Sequence, residues 1–171
     1  SMDDRSILFE LYDAAGGSGW ANSDGWKKDD VAFCEWFGVK CEPAGNFGQQ
    51  TVTEISLAGN NLDGFIPSII FHLDQLSKLD FRNNDVSMTF NAIHQAENLE
   101  ELYLDQTHVS KLDGISQAAS LKVLHLKKNS FAWQSIPEEV FDIASLTDLD
   151  LSESMFSGTL SSKVGTLTKL R

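Results

Sequence analysis

Apolar residues return along this chain at one fixed spacing. Leu121, Leu124, Leu126, Asn129 and Phe131 line up with Leu99, Leu102, Leu104, Thr107 and Val109 before them, and with Leu146, Leu149, Leu151, Ser154 and Phe156 after them. Leu76, Leu79, Phe81, Asn84 and Val86 make an earlier copy, and Val52, Ile55, Leu57, Asn60 and Leu62 the first. Successive copies start 24, 23, 22 and 25 residues apart, within the window of about 20–29 for a unit made of one strand and a return. In each copy the Leu-x-Leu step points its leucines to one face and the residues between them to the other, as the period of two requires. One such unit cannot close a core, so the pattern predicts an α/β repeat solenoid in which stacked units bury a continuous apolar interior beside a parallel sheet.

The Asn at the end of each strand segment has a different task. Its side chain can bond backbone groups where the chain turns, and stacked copies would form a ladder of such bonds. Thr107 and Ser154 take its place in two repeats, and their shorter hydroxyls predict looser turns there. Ahead of the repeats, Asp3 and Asp4 can cap a helix whose face carries Ile7, Leu8, Leu11, Tyr12 and Ala15, with Gly16-Gly17 ending it. A turn-rich, aromatic stretch follows, containing Trp20, Trp26 and Trp36. The open end of a solenoid needs a cover, so residues 3–50 are read as an N-terminal cap and residues 51–171 as about five repeats, the last one truncated. Leu170-Arg171 would begin a further repeat, which suggests a fragment of a longer array, or end-to-end self-association at an uncapped C-terminus.

With 171 residues and 42% hydrophobic content the chain is long enough for one domain with a sizeable core. Its net charge of −12 weighs against nucleic acid or an anionic membrane surface as partner, since either needs a basic face. A neutral or basic partner suits it better. No apolar run approaches the length of about 20 residues that spans a bilayer, no signal peptide is read, and no Asn-x-Ser/Thr acceptor site occurs.

Leu11-Tyr12, Gly16-Gly17, Trp20, Gly25-Trp26 and the run Cys34-x-Trp36-x-Gly38-Val39-x-Cys41, followed by Leu57 to Asn60, Leu62, Gly64, Ile66 and Pro67, resemble the N-terminal cap and first repeat of plant-type extracellular leucine-rich repeat proteins. The resemblance covers nearly the whole chain. It implies a leucine-rich repeat solenoid with a parallel concave sheet, a helical cap closed by a Cys34–Cys41 disulfide, and a second sheet on the back. It also implies an extracellular or cell-surface location, with an organelle lumen as the alternative. Ile136-Pro137 keeps the family's Ile-Pro step and Gly158 its glycine, whereas the repeats starting at Leu76 and Leu99 have lost it, so the second sheet should be interrupted at those two.

Candidate chemistry lies on the outward strand positions. Three columns run across the stack: Glu54, Lys78, Glu101, Val123, Asp148; then Ser56, Asp80, Tyr103, His125, Asp150; then Ala58, Arg82, Asp105, Lys127, Ser152. Glu54, Lys78 and Glu101, like Arg82, Asp105 and Lys127, read as cross-strand ion pairs of alternating sign worth about 0.2–1 kcal/mol each. Tyr103 beside His125 is not explained that way. An outward aromatic next to a titratable ring is the kind of pair found at binding hot spots. The candidate ligand-binding residues are therefore Tyr103, His125, Lys127, Asp150, Arg82 and Asp105. An open face with no nucleophile beside a base weighs against an enzyme, His72, His94, His108 and His125 lack ligand spacing for a metal, and no cofactor is implied. Asp148 with Asp150 is a weak calcium pair. Trp20, Trp26 and Trp36 read as cap core, while Trp133 sits in a return segment among polar neighbours. The function that fits is a non-catalytic module that holds a protein or peptide ligand on the outward strand face, as in a receptor ectodomain or secreted binding protein. An inhibitor of a secreted hydrolase and a structural subunit of a larger assembly are the alternatives.

Overall fold

The computed structural model describes residues 2–45 and 48–171. A helix, α1 (Asp4–Ala14), opens the chain, with Asp3 as its cap: the Asp3 carboxylate accepts a bond from Ser6 N at 2.8 Å, which holds its pKa below the usual carboxylate range. Asp4 does something else, reaching across to accept from Thr51 Oγ1 and Val52 N and so pinning α1 to the first repeat. Ile7, Leu8 and Leu11 are buried against the stack, and the helix ends at Gly16, whose φ of +67° is left-handed.

The strands are β1 (Val39–Ala44), β2 (Gln49–Ser56), β3 (Asp63–Phe65), β4 (Lys78–Asp80), β5 (Asp85–Ser87), β6 (Glu101–Tyr103), β7 (Val123–His125) and β8 (Asp148–Asp150). One sheet runs β1-β2-β4-β6-β7-β8, antiparallel between β1 and β2 and parallel from there on. Its register pairs Ile55 with Leu79, Leu79 with Leu102, Leu102 with Leu124 and Leu124 with Leu149. Thus the repeat alignment in the sequence is the strand register in space. β2 crosses residue 50, serving both the cap hairpin and the first repeat. Each strand returns through a short 3-10 turn, and Ile70, Ile93, Ile115 and Val140 from these turns complete the core beside the leucines.

A second sheet pairs β3 with β5 and ends there. The repeat starting at Leu76 therefore keeps its back strand without the Ile-Pro step, and the interruption begins one repeat later than its sequence suggests. Gly64 shows why glycine matters in β3: at φ +123° an added Cβ would lie 2.5 Å from Ala14 O, so the strand passes the end of α1 only without a side chain.

The cap core is aromatic. Trp26 lies 4.9 Å from Trp20 and 5.0 Å from Trp36 between ring centroids, and Phe9 stacks on Trp36 at 5.4 Å. Each buried indole donates to a backbone carbonyl, Trp20 to Ala15, Trp26 to Phe37 and Trp36 to Val31, which meets the polar demand of burying it. Cys34 and Cys41 are joined by a disulfide, with Cα atoms 5.5 Å apart. The enclosed loop is small, so the chain-entropy model assigns the bond about 2–3 kcal/mol.

The polar ladder is buried along its length. Asn84 accepts from Asn60 N and Leu62 N of the repeat before, and donates back to Leu57 O. Asn129 accepts from Thr107 N and donates to Leu104 O in the same way. Ser154 still reaches Leu126 O of the preceding repeat, so that turn remains tied. Thr107 does not: its hydroxyl serves Leu104 O in its own repeat and Asn129 Oδ1 in the next. The interval between the second and third repeats therefore lacks the side-chain rung that the others have. Thr107→Asn should restore it and raise unfolding free energy by about 0.5–1.5 kcal/mol, measured by urea denaturation. An unchanged or lower midpoint would show that the amide finds no partner there.

Candidate ligand-binding face

The parallel register sets the outward side chains in rows. Asp80, Tyr103, His125 and Asp150 are direct cross-strand partners in sequence, Asp80 to Tyr103, Tyr103 to His125 and His125 to Asp150. At one end of this row, Asp80 is 5% exposed and held by Arg82 through two bonds, Nε to Oδ1 at 2.9 Å and a guanidinium NH2 to Oδ2 at 2.6 Å. That bond raises the Arg82 pKa further. The guanidinium lies 4.8 Å from the Tyr103 ring centroid and the Lys78 ammonium 5.4 Å, both within reach of cation–π attraction. The Tyr103 hydroxyl donates to Glu101 Oε2 at 2.8 Å. Burial first, and this bond second, push its pKa up to about 12. Tyr103 is therefore a hub locked by Arg82, Lys78 and Glu101, with the His125 ring against it edge-on at 5.1 Å.

Carboxylates surround His125 on its other sides. Its Nε2 lies 3.0 Å from Asp148 Oδ2 and its Nδ1 3.9 Å from Asp105 Oδ2. Asp105 also accepts from Lys127 N at 2.8 Å. Burial outweighs that bond and raises the Asp105 pKa. Asp150 has its pKa lowered, because Ser152 donates to it from both hydroxyl and backbone, at 2.6 and 2.9 Å. Lys127 points its ammonium to Glu153, 3.3 Å away. All six candidate residues thus lie on one side of one sheet, but in two roles: Arg82 and Tyr103 form a bonded frame, and His125, Asp105 and Asp150 form a titratable, half-exposed cluster with Lys127 turned toward Glu153.

The alternating ion pairs mostly form elsewhere. Lys78 does face Glu101, at 3.9 Å. Glu54 is instead taken by Lys40 at 2.7 Å, since β1 places Lys40 opposite it. Arg82 turns to Asp80 two residues before it in its own repeat, where a planar fork fits a carboxylate better than a cross-strand reach. Asp148 and Asp150, the possible calcium pair, are occupied by His125 and Ser152 respectively. Glu101, Asp148, Lys78 and Asp80 lie in direct contact with the candidate residues, although they are not among them. A period of two places Glu101 beside Tyr103, and Asp148 beside Asp150, on the outward face. Trp20, Trp26 and Trp36 are cap core, at 7%, 4% and 1% exposure, whereas Trp133 is 68% exposed. Among the described residues no helix is long and apolar enough to cross a membrane.

A family model described as Leucine Rich Repeat matches residues 51–73. Receptor-like protein kinase 7 of Arabidopsis thaliana is 30% identical over an alignment covering 98% of this chain and 20% of that protein. The chain thus spans a fifth of that relative's length, and 15% of the receptor protein-tyrosine kinase CEPR1 from the same plant, also 30% identical, over 85% of this chain. Among solved structures, the ectodomain of the Arabidopsis thaliana receptor kinase SOBIR1 superposes with a TM-score of 0.78 at 23% identity, over 100% of this chain and 90% of that one. The ectodomain of the plant receptor kinase GASSHO1/SCHENGEN3, solved in complex with CASPARIAN STRIP INTEGRITY FACTOR 2, gives a TM-score of 0.78 at 20% identity, over 98% and 20%.

The locked hydroxyl of Tyr103 has a measurable consequence. Its pKa in the folded chain, about 12, lies above the ordinary phenol value of 10.0, so the stability linked to it is complete below about pH 10 and is lost as pH rises toward 12. Phenolate absorbance should show Tyr103 ionising near pH 12, and Glu101→Gln should bring it down by removing the charged acceptor. Titration of Tyr103 at pH 10 in the folded protein would contradict the geometry.

Proposed function

Because the chain is a leucine-rich repeat protein of the plant type, we propose that it is a non-catalytic recognition module, part of an extracellular or cell-surface receptor, that holds a peptide or an extended protein segment along its outward strand face. In this reading residues 3–50 close the stack and residues 51–171 supply the surface. The observation that carries the proposal is the contrast within the face. Arg82, Lys78 and Glu101 hold Tyr103 in place, while beside it His125 and three carboxylates stand without a lysine or arginine bridge among the described residues. A rigid frame next to carboxylates that are hydrogen-bonded but carry no lysine or arginine partner offers a ligand both fixed shape and charge to pair, which keeps the ordering cost of binding low. The ligand contacts are assigned to Tyr103, His125, Asp105, Asp150 and Lys127, with Arg82 fixing the frame. A parallel sheet of three-residue strands offers successive side-chain rows to an extended chain, which supports a peptide over a small molecule, and an open face excludes too little water to support catalysis. The structurally similar GASSHO1/SCHENGEN3 ectodomain was solved in complex with CASPARIAN STRIP INTEGRITY FACTOR 2, which supports a recognition role for such a stack.

Selection of binders from a random peptide library on the immobilised chain, followed by calorimetry on the recovered sequences, tests this. His125→Ala and Asp150→Lys should each weaken the recovered peptide by more than about fivefold, or 1 kcal/mol, without moving the thermal midpoint. Undiminished binding by the Tyr103→Ala, Asp150→Lys double variant would end the assignment of this face.

A further inference from the structure

The carboxylates of the outward columns fall into two sets. Glu54, Asp80 and Glu101 are each met by a cation of the same chain, Glu54 by Lys40 at 2.7 Å, Asp80 by Arg82 at 2.6 Å and Glu101 by Lys78 at 3.9 Å. Asp105, Asp148 and Asp150 are not. Among the described residues no lysine or arginine bridges them: Asp148 and Asp105 reach the imidazole of His125, at 3.0 and 3.9 Å, and Lys127 is turned away to Glu153 at 3.3 Å. The three surround one spot. Asp150 is the direct cross-strand partner of His125, Asp148 is the partner of Val123 two residues before it, and Asp105 stands two residues after Tyr103, the partner of His125 on the other side. Among the described residues no group of three such side chains is placed to hold a metal ion, so what they can share is a longer, branched cation.

We propose, resting on the assignment of this face to a peptide, that the residue the ligand sets over His125 is an arginine, whose guanidinium supplies the cation that Asp105, Asp148 and Asp150 lack. Two properties of the guanidinium select it. Its planar fork carries donors on several sides, so it can serve two carboxylates at once, whereas an ammonium acts as a compact point charge. It is also more weakly hydrated than an ammonium, and the His125 and Asp105 side chains it meets are only 22% and 18% exposed, so the cost of shedding water weighs in the choice. Charge complementarity acts beyond the contact as well. A chain of net charge −12 draws a cationic peptide toward it, while an acidic residue at this spot would stand against three carboxylates. Around Tyr103 the charges are matched within the chain, so the preference belongs to the His125 end. The arginine therefore lies toward β8 and fixes where along the rows the peptide sits.

Synthetic arrays of short random peptides, with one position fixed in turn as arginine, lysine, citrulline or glutamate, read this directly when probed with the whole chain. Arginine pools should be retained about tenfold more strongly than citrulline pools, which keep the shape and lose the charge, with lysine between them and glutamate lowest. That comparison alters only the peptide, so it does not depend on the folding of any variant. In the Asp148→Lys, Asp150→Lys double variant the order should reverse, with glutamate pools retained over arginine. Equal retention of arginine and citrulline overturns the inference; if His125→Ala still weakens the retained peptides, the face stands as a peptide site and only the arginine is withdrawn. An arginine preference undiminished in the double variant overturns it too, because the charge being read would then lie elsewhere on this acidic chain. Retention of no peptide removes both this inference and the reading beneath it.

Discussion

Each repeat contributes to the main sheet a strand of only three residues beyond β2, and none can bury its own leucines, so everything else depends on units meeting in one register. That register is enforced twice. Inside, Leu79, Leu102 and Leu124 sit opposite one another at essentially zero exposure. At the turn, Asn84 and Asn129 exchange bonds with the backbone of the repeat before them. Apolar burial is indifferent to small slides, whereas a buried amide that loses its carbonyl is not, so the leucines supply the driving force and the asparagines the alignment. The first layer has no preceding repeat, and α1, the stacked tryptophans and the disulfide-closed loop stand in for one.

The same register decides what the outward face can do. Side chains 22 to 25 residues apart in sequence become immediate neighbours, which is how Arg82 comes to lie over Tyr103 and Asp148 against His125. The face divides into a part that satisfies itself and a part that does not. From Asp80 to Tyr103 the charges are matched within the chain; around His125 the carboxylates outnumber the cations. The face thus presents fixed shape on one side and carboxylates without a lysine or arginine partner on the other, and these properties arise from which residues stand in which column, not from any change in the backbone.

Much of this was legible in the sequence because a repeat is its own alignment. The spacing of Leu121, Leu124 and Leu126 gave the strands, the register and the inward or outward sense of each residue, and the cap motif gave the Cys34–Cys41 bond. What was not legible depends on side-chain reach. Glu54 was matched to Lys78 because both stand in one column, but the cap strand β1 supplies the nearer Lys40. Arg82 was matched across the sheet, yet a bidentate partner two residues away in its own repeat holds it instead. The treatment of Thr107 and Ser154 as equal substitutes failed at Ser154, whose hydroxyl still spans the repeats. The left-handed backbone at Ala132 and Trp133 falls where Ile136 follows Phe131 by five positions, against four from Leu62 to Ile66 and from Phe156 to Leu160, a difference that the leucine spacing contains but does not interpret. His125 and Tyr103 were placed side by side correctly; that Glu101 occupies the hydroxyl of Tyr103 is a matter of rotamer, which no column alignment states.

If nearest-neighbour registry is what holds the stack and its outward face, damage to one rung should stay local. Native-state hydrogen exchange reads this through the amides of Leu57, Phe81, Leu104 and Leu126, which donate to Asp80, Tyr103, His125 and Asp150 across successive layers. In Asn129→Ala, whose loss removes the bonds to Leu104 O and Thr107 N, the account predicts that Leu104 and Leu126 lose protection while Leu57, next to the cap, retains it. An equal loss at all four amides, or none at any, would contradict it.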